Sequence, residues 1–217
     1  MNDSRRTLSV GLALAGGLAL LVGAGSISAQ EAALKLRATA IGAGAPGVPW
    51  TIELSRWSTE AERAPLVAAF SAPPPAPPAV PASGGRGGRA GRGAAPPPSP
   101  LARLSSAVKG SPTLGFVWGD GVTGYSIKYA WRASTPEGTE RIVLVTERRL
   151  GAHTPDWAPA SSTRTEAEFT LVEMQINAKG EGEGKTSISS TIAVDVAAGT
   201  LALAGYPAAP VMLKVNR

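Results

Sequence analysis

The sequence predicts a mainly β fold, an antiparallel β-barrel or coiled β-sandwich of about nine strands with two short helices. Three observations predict it. First, in the stretch Gly124 to Arg148, Tyr125, Ile127, Tyr129 and Trp131 fall on one face of an extended chain and Ser126, Lys128 and Arg132 on the other, because strand side chains alternate with period two. After the turn-forming run Ser134 to Gly138 comes Ile142-Val143-Leu144-Val145, apolar on both faces, which belongs in a sheet centre. The two segments read as an antiparallel hairpin. Second, the same form recurs along the chain with short turns between most neighbours, so sequential antiparallel pairing is the simplest topology. Third, two long segments follow, about Glu168 to Ala178 and Lys185 to Val196, joined by a Gly-rich turn, Lys179 to Gly184. Eleven extended residues reach roughly 35 Å, long for a flat sheet and natural for a coiled one.

Each remaining element has its own signal. Ala33 to Ile41 alternates Leu34, Leu36, Ala38 and Ala40 with Lys35, Arg37 and Thr39, as an edge strand does. A Gly/Pro turn, Gly42 to Pro49, leads to Trp50, Ile52 and Leu54 alternating with Thr51, Glu53 and Ser55, a strand that can pair back on the first. Thr59 and Glu62 have the spacing of a capping box, so a helix starts there, and Pro65 predicts a kink or restart before Leu66, Val67 and Phe70. Ser99 caps a second helix with Pro100 at its first position, Leu101, Leu104 and Val108 on one face and Gly110 as terminator. Leu114, Phe116 and Trp118 alternate into a strand closed by Gly119-Asp120-Gly121, and Leu201 to Gly205 and Val211 to Val215 complete the set. Both helices are expected over one opening of the curled sheet.

The domain organisation follows from composition. Residues 1–29 have the form of a signal peptide, with Arg5 and Arg6 before an apolar run, Leu8 to Val22, and a cleavage pattern ending at Ala29. A secreted or periplasmic protein is therefore expected, with a membrane association only if the segment stays uncleaved as a signal anchor. Ser4-Arg5-Arg6-Thr7-Leu8 resembles a twin-arginine signal, but the very short basic region favours the general secretory route. Residues 30–70 carry the first strands and helix, 71–98 form a disordered Pro/Gly/Arg-rich linker inserted in the domain, and 99–217 supply the rest. With no cysteine among 217 residues, a lipoprotein anchor, a thiol nucleophile and a disulfide framework are excluded. Of the net charge of +5, signal and linker arginines account for most, so the folded remainder makes no case for a basic binding face.

Catalytic chemistry finds little support. His153 is the sole histidine, with Asp156 nearby, yet no Gly-x-Ser-x-Gly elbow accompanies it, so it reads as a loop residue. Glu147, Glu173 and Asp195 could be paired as glycosidase carboxylates, but strand-face charges explain them more simply. The Arg/Gly run Gly84 to Gly93 imitates segments that bind single-stranded RNA; in an exported chain a flexible linker is the better reading, and no nucleic acid is expected. Lys179 to Gly184 lacks the acidic spacing of a calcium loop. No metal or cofactor is implied.

The rings are the residues with a functional leaning. Trp50, Trp118, Tyr125, Tyr129 and Trp131 lie on apolar strand faces, where core packing is the default; in a curled sheet the same faces could line a cavity. Trp57 and Trp157, at a strand end and in the loop Gly151 to Thr165, are candidates for its rim.

Arg56-Trp57-Ser58-Thr59-Glu60, Gly124-Tyr125 with Tyr129-Ala130, Arg141-Ile142-Val143-Leu144, Phe169-Thr170-Leu171 with Glu173-Met174, Gly182-Glu183-Gly184-Lys185, and the ending around Tyr206 and Pro210-Val211 together resemble a family of small exported bacterial proteins without an established activity. The likeness spans most of the chain after the signal except the linker, and it implies export and a β-rich fold while supplying no catalytic residues. Pro65 and the long insertion depart from it. The expectation is thus a non-enzymatic exported β-domain binding a small apolar or amphiphilic ligand. The alternative is a structural or protein-interaction module of the cell envelope; a hydrolase centred on His153 ranks below both.

Overall fold

The computed structural model describes residues 33–41, 49–73, 96–119, 124–150, 168–188 and 190–217. The segment expected as a signal, the central part of the expected linker, and His153, Asp156 and Trp157 lie outside the described residues.

Eight strands form a closed antiparallel barrel: β1 (Leu34–Ala40), β2 (Pro49–Leu54), β3 (Gly115–Trp118), β4 (Tyr125–Ser134), β5 (Glu140–Thr146), β6 (Thr170–Ile176), β7 (Glu181–Thr186) and β10 (Leu213–Asn216). Each pairs with its neighbour in sequence, and β10 returns to β1 through the register Arg37 to Ala40 against Asn216 to Leu213. Between β7 and β10 the chain leaves the ring to make a separate hairpin, β8 (Ile192–Asp195) with β9 (Thr200–Leu203). The expected antiparallel barrel is what forms.

Alternation decides what fills it. Leu34, Leu36, Ala38 and Ala40 from β1, Trp50, Ile52 and Leu54 from β2, Ile142 and Leu144 from β5, and Val172, Met174 and Ile176 from β6 all belong to one buried cluster. Each of the larger aliphatic side chains in it contributes roughly 1.5–3 kcal/mol by leaving water. Charged side chains take the opposite faces of β1, β2, β7 and β10, as at Lys35, Arg37, Glu53, Glu181, Glu183 and Lys214. On β1, β2 and β10 an apolar inner face backs a charged outer one, the reverse of a lipid-spanning barrel's apolar outward band. No helix among the described residues is long and apolar enough to cross a membrane.

A second cluster lies outside the ring. Tyr129 and Trp131 of β4, Val143 and Val145 of β5 and Leu171 of β6 pack with Leu66, Leu104 and Val108 from the helices and with Ile192, Leu201 and Leu203 from the hairpin. The helices α1 (Glu60–Ser71) and α2 (Pro100–Gly110) therefore cover the outer wall of β4 to β6 rather than an opening. The cause is the run Ile142 to Val145: a strand apolar on both faces needs cover on both.

Three local differences from the alternation pattern have physical reasons. The β4–β5 register slips between Ile127 and Tyr129, which pair with the adjacent Thr146 and Val145, so Lys128 is an extra, bulged residue. Downstream the faces invert: Tyr125 and Ile127 point into the ring, Tyr129 and Trp131 out of it. In β3, Gly115 and Val117 take the inward register and Phe116 and Trp118 face outward, with Phe116 exposed. Finally, the glycines assigned to a turn build β7 instead. A methyl on Gly182 would collide with the carbonyl oxygen of Gln175, and one on Gly184 would press on Leu213 and Met174. Glycine here lets strands approach closely where the sheet coils. The segment expected to run from Lys185 to Val196 accordingly divides into the end of β7 and β8.

The helices start as their caps require. Thr59 accepts from the Glu62 backbone N–H while the Glu62 carboxylate accepts from the Thr59 N–H, and α1 runs on through Pro65 without the restart that was one of the two expectations. Ser99 caps α2 and Pro100 occupies its first turn.

Candidate functional site

Among the described residues, the rings singled out in the sequence line neither of the two spaces described below. Trp50 and Tyr125 meet inside the barrel at 5.8 Å between ring centroids, as filled core. Tyr129 sits wholly buried outside the ring, where its phenol shares a 2.5 Å hydrogen bond with the Thr200 hydroxyl; burial pushes its pKa up, partly offset by that bond. Trp131 lies in the same outer cluster beneath the Arg141 guanidinium, 5.6 Å from its centroid. Trp118 contacts Phe116 on the outer face at 5.4 Å. Trp57 packs half-buried against the interior cluster and lies under Arg132 at 4.7 Å. Trp157 is outside the described residues.

The carboxylates also separate by role. Glu173 is almost wholly buried; it accepts from Arg141 Nε at 2.7 Å and from the Leu203 backbone N–H at 2.8 Å. Arg141 donates onward to Asp195 at 2.7 Å. The guanidinium, with the Ala198 N–H behind it, holds the Asp195 carboxyl below the usual carboxylate range. This network ties the β8–β9 hairpin to the barrel wall. Lys185 adds a second tie, donating to the carbonyls of Tyr206 and Pro207 at 2.8 and 3.3 Å, with its ammonium 4.6 Å over the Tyr206 ring. Buried charges satisfied this completely fix geometry. Among the described residues no cluster of His, Asp and Glu has the makings of a metal site.

Among the described residues an apolar groove of about 400 Å³ lies between the helices, the ends of β5 and β6, and the β7–β8 connection. Phe70, Pro100, Leu101, Phe169, Ile188 and Ile192 supply its apolar walls. The relative placement of the helices sets its width, and Arg103 fixes that placement. From α2 it donates to Ala69 and Ala72 at the end of α1, at 2.9 and 2.5 Å, satisfying carbonyls that the helix end leaves open. Phe70 and Leu101 are thereby held on opposite sides of one opening.

Polar groups in the groove are few. The Ser187 hydroxyl accepts from the Leu171 N–H at 3.0 Å, Ser190 donates to the Ala204 carbonyl at 3.0 Å, and Ser99 caps α2. Thr191 and Arg149 complete the lining, and Arg149 is the one charged side chain among the described lining residues. An apolar trough with one cation and several hydroxyls can hold an alkyl or aryl body and receive hydrogen-bond acceptors at one place. A second space of about 420 Å³, lined by Thr139, Gln175, Asn177, Glu181, Glu183, Lys185 and Tyr206, is polar and shallower.

Sequence reasoning missed every residue of the groove, because Phe70, Leu101, Phe169 and Ile192 come from four elements that only the fold brings together. The available signal was indirect. The run Ile142 to Val145 in β5, apolar on both faces, announces an outer packing layer, and a seam within such a layer is where a groove arises. Compared with protein-family models, curated proteins and solved structures, the chain matches none.

Proposed function

We propose that the chain is a non-enzymatic exported binding domain of the cell envelope, taking a small apolar or amphiphilic ligand in the groove on the outer wall of its barrel. The observation that supports this reading is the groove itself: about 400 Å³, within the roughly 300–1,000 Å³ usual for small-molecule sites, and walled by six apolar residues. The interior of the barrel does not serve, being filled by Trp50, Tyr125 and the aliphatic cluster.

The test is uptake of the neutral fluorescent probe N-phenyl-1-naphthylamine. Saturable enhancement at micromolar probe, lost in Leu101→Trp, which fills the groove from α2, is the expected result. No enhancement, or full enhancement in the variant, refutes the site.

A second reading, a protein-interaction module, is favoured by the exposed Phe116 beside Trp118 on the outer face of β3. Under it, Phe116→Ser removes a cross-linked species formed by the full chain in its own envelope while probe uptake stays unchanged; an identical cross-linking pattern sinks it.

A further inference from the structure

We propose that the groove selects single-chain amphiphiles with an anionic head, with Arg149 receiving the head and the apolar walls the chain; this rests on the reading of the groove as the binding site. Three observations converge on it.

The first is uncompensated charge. Arg149 lines the groove, and among the described residues it makes no ion pair. Among the described residues, the carboxylates nearest to the lining in sequence are already engaged: Glu147 by Lys128 at 3.6 Å, Glu168 by Lys109, and Asp195 and Glu173 by Arg141, each at 2.7 Å. A half-buried guanidinium beside an apolar surface gains a great deal from a carboxylate or phosphate, whose oxygens match its planar fork.

The second is the distribution of polarity. Six of the eleven lining residues are apolar, the hydroxyls of Ser99, Ser187 and Ser190 are each tied to a backbone partner, and Arg149 is the one charged donor among the described lining residues. A ligand with polar groups along its length would lose hydrogen bonds to water against those walls. One with a single polar end would not.

The third is size. A space of about 400 Å³ lies at the low end of the small-molecule range, enough for one alkyl chain and too little for a two-chain lipid.

Carboxylate and phosphate heads share this chemistry, and the experiment separates them. Displacement of the neutral probe is measured at about pH 8, where both heads are ionised, with dodecanoate, dodecyl phosphate and dodecanol as ligands of equal chain length. The expected result is that at least one anion binds about tenfold or more tightly than the alcohol, that added salt narrows the gap, and that Arg149→Gln erases it while Arg149→Lys keeps part of it. The more tightly held anion identifies the head. If the alcohol competes as well as both anions, or if the preference survives in Arg149→Gln, the assignment to Arg149 is overturned while the groove stands. If no ligand displaces the probe and the probe itself is not taken up, the groove reading falls as well. Should Arg149→Gln fail to fold, the comparison of heads and its salt dependence in the unaltered protein decides alone.

Discussion

At Glu62 one carboxylate does two jobs. It closes the capping box of α1 and grips Arg56 through both oxygens, at 2.6 and 2.8 Å. The Arg56 guanidinium, and then the Thr59 N–H, bring its pKa down to about 2 from 4.5. Because the folded value is the lower one, the unfolded chain takes up the proton first as pH falls. The stabilisation is therefore complete above about pH 5 and is lost between about pH 4 and 2. Both partners are partly open to solvent, 40% and 26% exposed, which keeps the contribution modest. Glu62→Gln should cost about 1 kcal/mol near neutral pH, and the gap to the parent should close by about pH 2, as read by urea unfolding across that range. Glu173 stands at the other extreme. Its replacement by alanine strands the Leu203 N–H and half-unpairs Arg141 away from water. A loss of about 3 kcal/mol is expected in the same assay, and Arg141→Leu on top of it should cost much less than Arg141→Leu alone, since the charge left unpaired is then gone.

The bulge in β4 sets which rings meet which layer. Because Lys128 is the supernumerary residue, its deletion should leave Ile127 inward and Tyr129 and Trp131 outward in an unbroken ladder. What is lost is its ammonium bond to the Ser111 carbonyl at the end of α2, 3.2 Å long, and the weak pair with Glu147. A folded protein destabilised by about 1–2 kcal/mol is expected. Deleting Ala130 instead would drive Trp131 into the filled interior, and loss of the near-ultraviolet circular dichroism of the native rings is expected. This pair of deletions also explains what was legible. Elements with a clean period, β1, β2 and α2, could be read residue by residue, and the Thr59–Glu62 spacing located α1. The bulge could not, since one extra residue in a run of alternating rings leaves the period intact on either side and changes only its phase. β7 escaped for a different reason: Gly182 and Gly184 owe their place to the close approach of the paired strands β6 and β10, not to any local preference.

For the molecule as a whole, closure is the decisive property. A ring without edges offers no unpaired strand to other chains, and here β10, the C-terminal strand, closes the ring between β1 and β7. Val215 lies in both ladders, opposite Ala38 and Gly182. Val215→Pro removes a ladder hydrogen bond and should lower stability by about 3 kcal/mol or more, with concentration-dependent aggregation on heating as the sign that β1 and β7 have become edges. The antiparallel ring itself was legible from repeated alternation and short turns, whereas the departure of β8 and β9 from it was not: Ile192 to Asp195 alternates like any barrel strand, and only the apolar outer wall of β4 to β6 gives it somewhere else to go.

The seam between β1 and β10 has a temporal meaning too. A polypeptide emerging from the ribosome displays β1 early and must wait for β10 until every other strand has been synthesised, so the circle cannot shut midway through translation. Until β10 docks, the growing chain is an open ribbon in which β1 and β7 present unpaired backbone, so the hazard of pairing with a second chain is greatest before the final segment is made.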